Sequence, residues 1–255
     1  SNVCVGSSIT LTDATPGGVW TSSPSSNASV SGGGVVTGLI AGPCTITYTV
    51  TSGGCTSFQT MNITVVSVPV VASITGNNNV CVGSTTPLSN VTPGGTWTSS
   101  VPADATISPS GVVTGISDGS STINYTVSTN GCSTTQTMLV TVNALPVVAP
   151  ITGPTEVCEV AMITLENITP SGIWSSSNTT VAIIDGNTGE VVGLSAGTAL
   201  MSYAVTTNGC VDSSTVTVTV NALPVVDPIT GNANVCIGST SQLANETPSG
   251  TWSSL

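Results

Sequence analysis

The 255-residue sequence predicts an all-β chain built as a tandem array of small sandwiches, and three observations carry that expectation: a long internal period, an apolar alternation of two, and turn residues at fixed places. Cys4, Cys81, Cys158 and Cys236 follow one another at intervals of 77, 77 and 78 residues, and Trp20, Trp97, Trp174 and Trp252 keep the same intervals. Tyr48, Tyr125 and Tyr203 recur in step, each seven residues before a second cysteine: Cys55, Cys132 or Cys210. A period of this size is too long for a solenoid unit and matches one small domain.

The strands follow from the alternation. In residues 45–50, Ile46, Tyr48 and Val50 point one way and Thr45, Thr47 and Thr49 the other, and residues 122–127 and 200–205 repeat the pattern. A half-buried strand has this period, with a core face and a wet face. Residues 59–66, 136–142 and 215–220 alternate likewise, and their Thr and Val content suits a pleated surface. Stripes of helical period and helical capping boxes are absent. Gly53-Gly54, Asn130-Gly131 and Asn208-Gly209 sit between these two strand sets, where tight primed turns need positive φ, so each is expected to close a hairpin. Thr15-Pro16-Gly17-Gly18 and its equivalents at Thr92, Thr169 and Thr247 put Pro second and Gly fourth. That order predicts a type I turn just ahead of each Trp.

The frame sets the expected domain boundaries: residues 1–68 for a first repeat lacking its N-terminal strand, 69–145 for the second, 146–223 for the third and 224–255 for a partial fourth. The stretch Pro-Val-Val-x-x-Ile-Thr-Gly precedes Cys81, Cys158 and Cys236 but not Cys4, and the sequence stops three residues past Trp252. The array is therefore expected to be a window on a longer protein. Each joint runs from the last strand through a Pro without any Gly, too short for a floppy tether, so the repeats are expected to form a semi-rigid rod.

Composition excludes several functions. With no Lys, Arg or His and a formal charge of −11, the chain has no cation to neutralise phosphates or to dock on an anionic bilayer. Nucleic acid is not an expected partner, nor is membrane insertion, because no apolar run approaches about 18 residues. Only 4% of residues are charged against 39% apolar, which favours folding over disorder.

The third repeat shows the remaining motif in full: Trp174 and Ser175-Ser176-Ser177, then Val181-Ala182-Ile183-Ile184-Asp185, Gly189-Glu190-Val191-Val192-Gly193, and Ser195-Ala196-Gly197-Thr198 leading to Tyr203. This pattern resembles the bacterial immunoglobulin-like domain, group 2, a tandem repeat of cell-surface adhesins. The resemblance spans every complete repeat, although residues 31–34 and 108–111 depart from its Asp-x-x-x-Gly stretch. It implies an immunoglobulin-like sandwich and says nothing of a ligand. The added cysteines resemble the variant found in long surface proteins of gliding, type IX-secreting bacteria. One disulfide per repeat is the expected arrangement: Cys4 with Cys55, Cys81 with Cys132, and Cys158 with Cys210. Closing a loop of about 50 residues contributes roughly 4 kcal/mol on the chain-entropy model, useful to a core this small. Disulfides imply an oxidising, extracytoplasmic compartment. Cys236 is expected to pair beyond the chain end. Cys44 aligns with Ser121 and Ala199 and shares the inward parity of Ile46, so a buried free thiol is expected there, with an intermolecular disulfide as the alternative.

Chemistry has little material. Without His, Lys or Arg, a Ser or Thr nucleophile has no imidazole or amine to activate it, and the 11 carboxylates do not recur as pairs. No enzyme activity and no cofactor are expected. Asp185 with Glu190, and Glu156, Glu159 and Glu166, occur in one repeat alone and read as solvated surface. No Asp-x-Asp run suggests calcium. Trp20, Trp97, Trp174 and Trp252 stack on sugars in one reading and anchor the core in the favoured one, and Tyr48, Tyr125 and Tyr203 are expected in the core beside them. Seven Asn-x-Ser/Thr triplets, with Asn90, Asn167 and Asn245 at equivalent places, are weak glycosylation signals in a chain so rich in Ser and Thr. The expected function is a structural stalk or filament segment of an extracellular bacterial surface adhesin, whose partners are neighbouring repeats of the same chain. The alternatives are a module that itself binds surface glycans, and lateral self-association into a fibre.

Overall fold

A computed structural model describes Ser1 to Ser254, and every regular element in it is a strand. The first repeat contains β1 (Asn2–Cys4), β2 (Ser8–Thr10), β3 (Val19–Ser23), β4 (Ala28–Val30), β5 (Val35–Gly38), β6 (Gly42–Ser52) and β7 (Cys55–Val66). The second contains β8 (Thr75–Gly76), β9 (Asn79–Cys81), β10 (Thr85–Ser89), β11 (Thr96–Ser99), β12 (Ala105–Ile107), β13 (Val112–Gly115), β14 (Gly119–Thr129) and β15 (Cys132–Asn143). The third contains β16 (Glu156–Cys158), β17 (Met162–Thr164), β18 (Ile173–Ser176), β19 (Ala182–Ile184), β20 (Glu190–Gly193), β21 (Gly197–Thr207) and β22 (Cys210–Asn221), and β23 (Thr230–Gly231) and β24 (Leu243–Ala244) follow it. The chain divides into two compact units, Ser1–Leu145 and Pro146–Leu255.

Each complete repeat is two facing sheets. In the first, the order β1-β7-β6-β3 faces β2-β5-β4; in the second, β11-β14-β15-β9 faces β12-β13-β10-β8; in the third, β16-β22-β21-β18 faces β17-β20-β19. This strand order is that of an immunoglobulin-like sandwich, so the chain is a tandem array of such folds. The long hairpin of each repeat carries the alternation expected of it. Cys44, Ile46 and Tyr48 on β6 are buried while Thr45, Thr47 and Thr49 face outward, and Ile123, Tyr125 and Val127 on β14 repeat the pattern. Each core gathers these with residues of the opposite sheet: Val36 and Ala28 in the first repeat, Val113 and Leu88 in the second, Val191 and Leu165 in the third. Asn130 and Asn208 take φ of 51° before Gly131 and Gly209, which turns both hairpins within two residues.

The turn ahead of each Trp departs from expectation. Gly17 and Gly94 have φ near +80°, and Ser171 and Ser249 have φ of 65°, where a type I turn needs a negative value. A positive φ at the third residue belongs to type II, which Pro second and Gly third favour in the first two turns, and in the three complete repeats a tyrosine side chain bridges the turn. Tyr48 Oη donates to Thr15 O at 2.6 Å and accepts from Gly18 N at 2.8 Å, standing in the gap that the turn's own hydrogen bond would close. Tyr125 does the same between Thr92 O and Gly95 N, and Tyr203 between Thr169 O and Gly172 N.

The first strand of each repeat runs parallel to the end of the last. Cys4 lies opposite Val66, Cys81 opposite Asn143 and Cys158 opposite Asn221. Cys55, Cys132 and Cys210 open those same last strands at the far end. Eleven residues of strand separate the two positions, roughly 35 Å at the usual rise. A bridge needs Cα atoms within about 7 Å, so the expected pairs Cys4–Cys55, Cys81–Cys132 and Cys158–Cys210 do not form. One disulfide within each repeat is therefore corrected.

Candidate functional site

The disulfide that does form crosses between repeats. Cys4 of the first repeat is bonded to Cys132 of the second, with Cα atoms 5.7 Å apart and a sequence separation of 128. The end of the first sandwich meets the hairpin tip of the second, where Asn2 Nδ2 also donates to Asn130 O at 3.4 Å. Cys81 and Cys210 are disulfide-bonded as well. Cys55, Cys158 and Cys236 are exposed free thiols, and Cys44 is a free thiol buried beside Ser22 Oγ at 3.0 Å.

The second strut of this joint is the connecting chain itself. Residues 69–76 leave β7 and become the edge of the next sandwich, where β8 pairs antiparallel with β10, Leu88 opposite Gly76. Val71 and Ile74 enter the second core. Ala72 is held at both backbone groups: its N–H donates to Thr92 Oγ1 at 2.9 Å, and its carbonyl accepts from Asn90 Nδ2 at 2.5 Å. Asn90 Oδ1 accepts from Thr92 N at 2.9 Å and so fixes the clamp, while Gln136 Nε2 donates to Val71 O at 3.2 Å. Because Thr92 O also accepts from Tyr125 Oη, the connecting strand, the turn and the core form one hydrogen-bonded chain. In the third repeat Asn167 and Thr169 clamp Ala149 in the same way, and Asn245 and Thr247 clamp Asp227.

Three of the seven triplets that read as weak glycosylation signals, those at Asn90, Asn167 and Asn245, are thus the clamps. Their recurrence in step with the tryptophans was the visible signal. A half-buried amide that already gives its N–H to a backbone carbonyl is not a free glycan acceptor.

The aromatic pairs lie on the long hairpins. Trp20 is the cross-strand neighbour of Tyr48, Trp97 of Tyr125 and Trp174 of Tyr203, with tilted rings whose centroids lie 4.5, 4.6 and 4.7 Å apart. Trp174 is buried, whereas Trp20 and Trp97 are half-buried at the margin of their cores. Trp252 is a correction: it is 58% exposed and anchors no core.

The carboxylates are tied locally. Asp185 Oδ1 accepts from Asn187 N, Thr188 N and Thr188 Oγ1, and these bonds, the Asn187 one foremost, hold its carboxyl below the ordinary aspartate range. Glu159 Oε1 accepts from Ala196 N, and Asp104 accepts from Ser117 and Ser120. Among the described residues no three of His, Cys, Asp and Glu gather as a metal site, and no helix is long and apolar enough to cross a membrane.

No protein-family model matches the sequence, and no curated protein does. Solved structures do resemble it. The surface-layer protein SbsC, domains 1-6, is 18% identical over 91% of this chain with a TM-score of 0.27, and this chain spans 40% of that structure. A titin I-band fragment is 12% identical with a TM-score of 0.36, covering 88% of this chain and 95% of its own. A SusE-like surface-located polysaccharide-binding protein from Bacteroides thetaiotaomicron is 10% identical with a TM-score of 0.35, covering 87% of this chain and 45% of its own. The immunoglobulin-like assignment rests on the strand order above.

Proposed function

We propose that the chain is a load-bearing spacer, a structural stalk or filament segment of an extracellular bacterial surface protein that carries an adhesive tip away from the cell, without catalysis of its own. The observation that carries this reading is the joint between the first two repeats. A covalent bond spans it, and the connecting strand is woven into the second sandwich instead of hanging between domains. A chain designed to bend has no use for either. Disulfides persist in oxidising compartments, which agrees with an extracellular setting. The resemblance to bacterial surface repeats points to the same place.

The reading is tested by small-angle scattering of residues 69–145, 69–223 and 1–223, which hold one, two and three repeats. The maximum dimension is expected to grow by a constant increment of about 30–40 Å per repeat, the length of a sandwich laid along its strands. A chelator is expected to leave that increment unchanged, since no carboxylate cluster forms among the described residues. A particle whose dimension fails to grow, or collapses without calcium, refutes the spacer.

A further inference from the structure

In each repeat the sheet opposite the long hairpin sets one residue from each of three strands in a row on its outward face. In the first repeat the row is Ser8, Thr37 and Ser29, and in the second it is Thr85, Thr114 and Thr106. In the third it is Met162, Val192 and Ile183. Three hydroxyls have become three apolar side chains, with Met162 61% exposed, Ile183 41% exposed and Val192 half-buried. A single exposed apolar residue is ordinary, but a contiguous set that replaces hydroxyls along a whole row marks an interaction surface.

The backbone beside the row is strained to the same end. Two residues after the first cysteine of each repeat, Gly6 and Gly83 take φ of 81° and 78°, and Val160 takes 62°. A β-branched residue in that region is a steric outlier. Val160 N donates to Gly193 O, as Gly6 N does to Gly38 O and Gly83 N to Gly115 O, so the turn is the same and only the side chain is new. That side chain is 80% exposed. A following repeat leaves this face open. The second repeat follows the first, yet Ser8 and Ser29 are exposed and a Cβ on Gly6 would meet no atom within 4 Å.

Carboxylates gather on the same repeat. Glu156, Glu159, Glu166, Asp185, Glu190 and Asp212 are six of the chain's 11 acidic residues. Three of them border the apolar row. Glu159 immediately precedes Val160, and Glu190 lies two residues before Val192 on β20, on the same face, where the other repeats have Val35 and Val112. Asp185 follows β19, and its N–H donates to Glu190 O. With no Lys, Arg or His in the sequence, no side-chain cation of the chain answers these charges.

We propose that this face of the third repeat docks a polypeptide segment of another protein whose apolar side chains are flanked by Lys or Arg. Val160, Met162, Val192 and Ile183 receive the apolar side chains, and Glu159, Asp185 and Glu190 meet the cations at the margin. Complementary charge of this kind sets the register of a contact and rejects wrong partners. A second copy of the chain is one such wrong partner, because an isologous contact brings the same carboxylates together with no cation between them. An anionic bilayer is repelled for the same reason. The first two repeats, with hydroxyl rows and glycine in place of Val160, do not present the face. The inference goes beyond the spacer reading and does not depend on it.

The test titrates the whole 255-residue chain into a fluorescent peptide, Arg-Arg-Leu-Phe-Leu-Arg-Arg with blocked termini, and follows anisotropy. The expected result is saturable binding that weakens with salt, no binding of the same peptide with Glu in place of Arg, and methyl shifts in the NMR spectrum confined to Val160, Met162, Ile183 and Val192. Met162→Thr with Ile183→Thr, which restores the hydroxyls found in the second repeat, is expected to weaken binding about tenfold. Glu190→Gln is expected to weaken it about threefold and to flatten the salt dependence. Val160→Gly weakens it about threefold while raising the urea midpoint of the third repeat, a split that a merely structural valine does not produce. No saturable binding, equal binding of the acidic peptide, or methyl shifts elsewhere overturns the proposal. So does self-association of the chain that the double variant abolishes, or pelleting of the chain with zwitterionic vesicles.

Discussion

Replacing Cys4 and Cys132 together by Ala removes the bond between the first two repeats without stranding a thiol. The bond closes a loop with a sequence separation of 128. On the chain-entropy model a loop of that length contributes about 5 kcal/mol when both repeats unfold together. If the first repeat unfolds on a folded second, the mobile loop shrinks to roughly the 65 residues before the connecting strand, and the contribution falls to about 4 kcal/mol. Trp20 and Trp97 each sit against a tyrosine, so their fluorescence follows the two repeats in a urea titration. With a urea slope of about 2 kcal/mol/M, the variant is expected to lose about 2 M in its midpoint. Peptic mapping of the parent locates the bond, because a chain without Lys or Arg offers trypsin no site. A peptide joining Cys4 to Cys55 or Cys81 to Cys132, or a double variant whose midpoint does not move, refutes the reasoning.

Tyr125→Phe removes the hydroxyl that bridges Thr92 O and Gly95 N, and is expected to destabilise the second repeat by about 2–3 kcal/mol in the same titration, since both turn groups lose their partner. Asn90→Ala frees the Ala72 carbonyl and is expected to cost about 1–3 kcal/mol, with faster amide hydrogen exchange along residues 70–76 as the local sign. Ser171→Gly relieves a positive φ at a non-glycine residue and should stabilise the third repeat by about 1 kcal/mol, read as a higher midpoint by Trp174 fluorescence. Asp185 is held below its ordinary range, so its turn bonds are kept above the unfolded value near 4 and lost as pH falls through the folded one; amide shifts of Asn187 and Thr188 on acidification follow this, and Asp185→Asn removes the transition.

What could be seen in the sequence was whatever is written within one strand or one turn. The alternation at Ile46 and Tyr48 gave the core face of β6, and the Gly and Asn pairs marked the hairpins, because those features are set by neighbours two or three residues away. The cysteine pairing was misjudged for the opposite reason. Two cysteines per period suggested one bridge per period, but strand direction decides the matter, and the parallel placement of β1 beside the end of β7 puts Cys4 and Cys55 at opposite poles. The turn type was misjudged although Pro16-Gly17 and Pro93-Gly94 are themselves a type II signal; what no local pattern shows is the tyrosine thirty-odd residues away that bridges the turn. Asn90 and Thr92 were in plain view as a recurring triplet, yet their partner Ala72 belongs to the connecting chain, and nothing local names it.

The connecting strand has a consequence for how the chain is made. Residues 69–76 open the second repeat by sequence and form its outer strand by structure, so a cut anywhere inside them deprives that sandwich of an edge. Emerging from the ribosome or a secretion pore amino end first, the second repeat receives this strand before any other part of itself. Its clamp at Asn90 and Thr92 follows within about twenty residues, and the hairpin carrying Cys132 arrives last, when Cys4 has long been exposed. Assembly of the second sandwich thus runs in one direction, its outer strand laid down first and its bond to the first sandwich closed last.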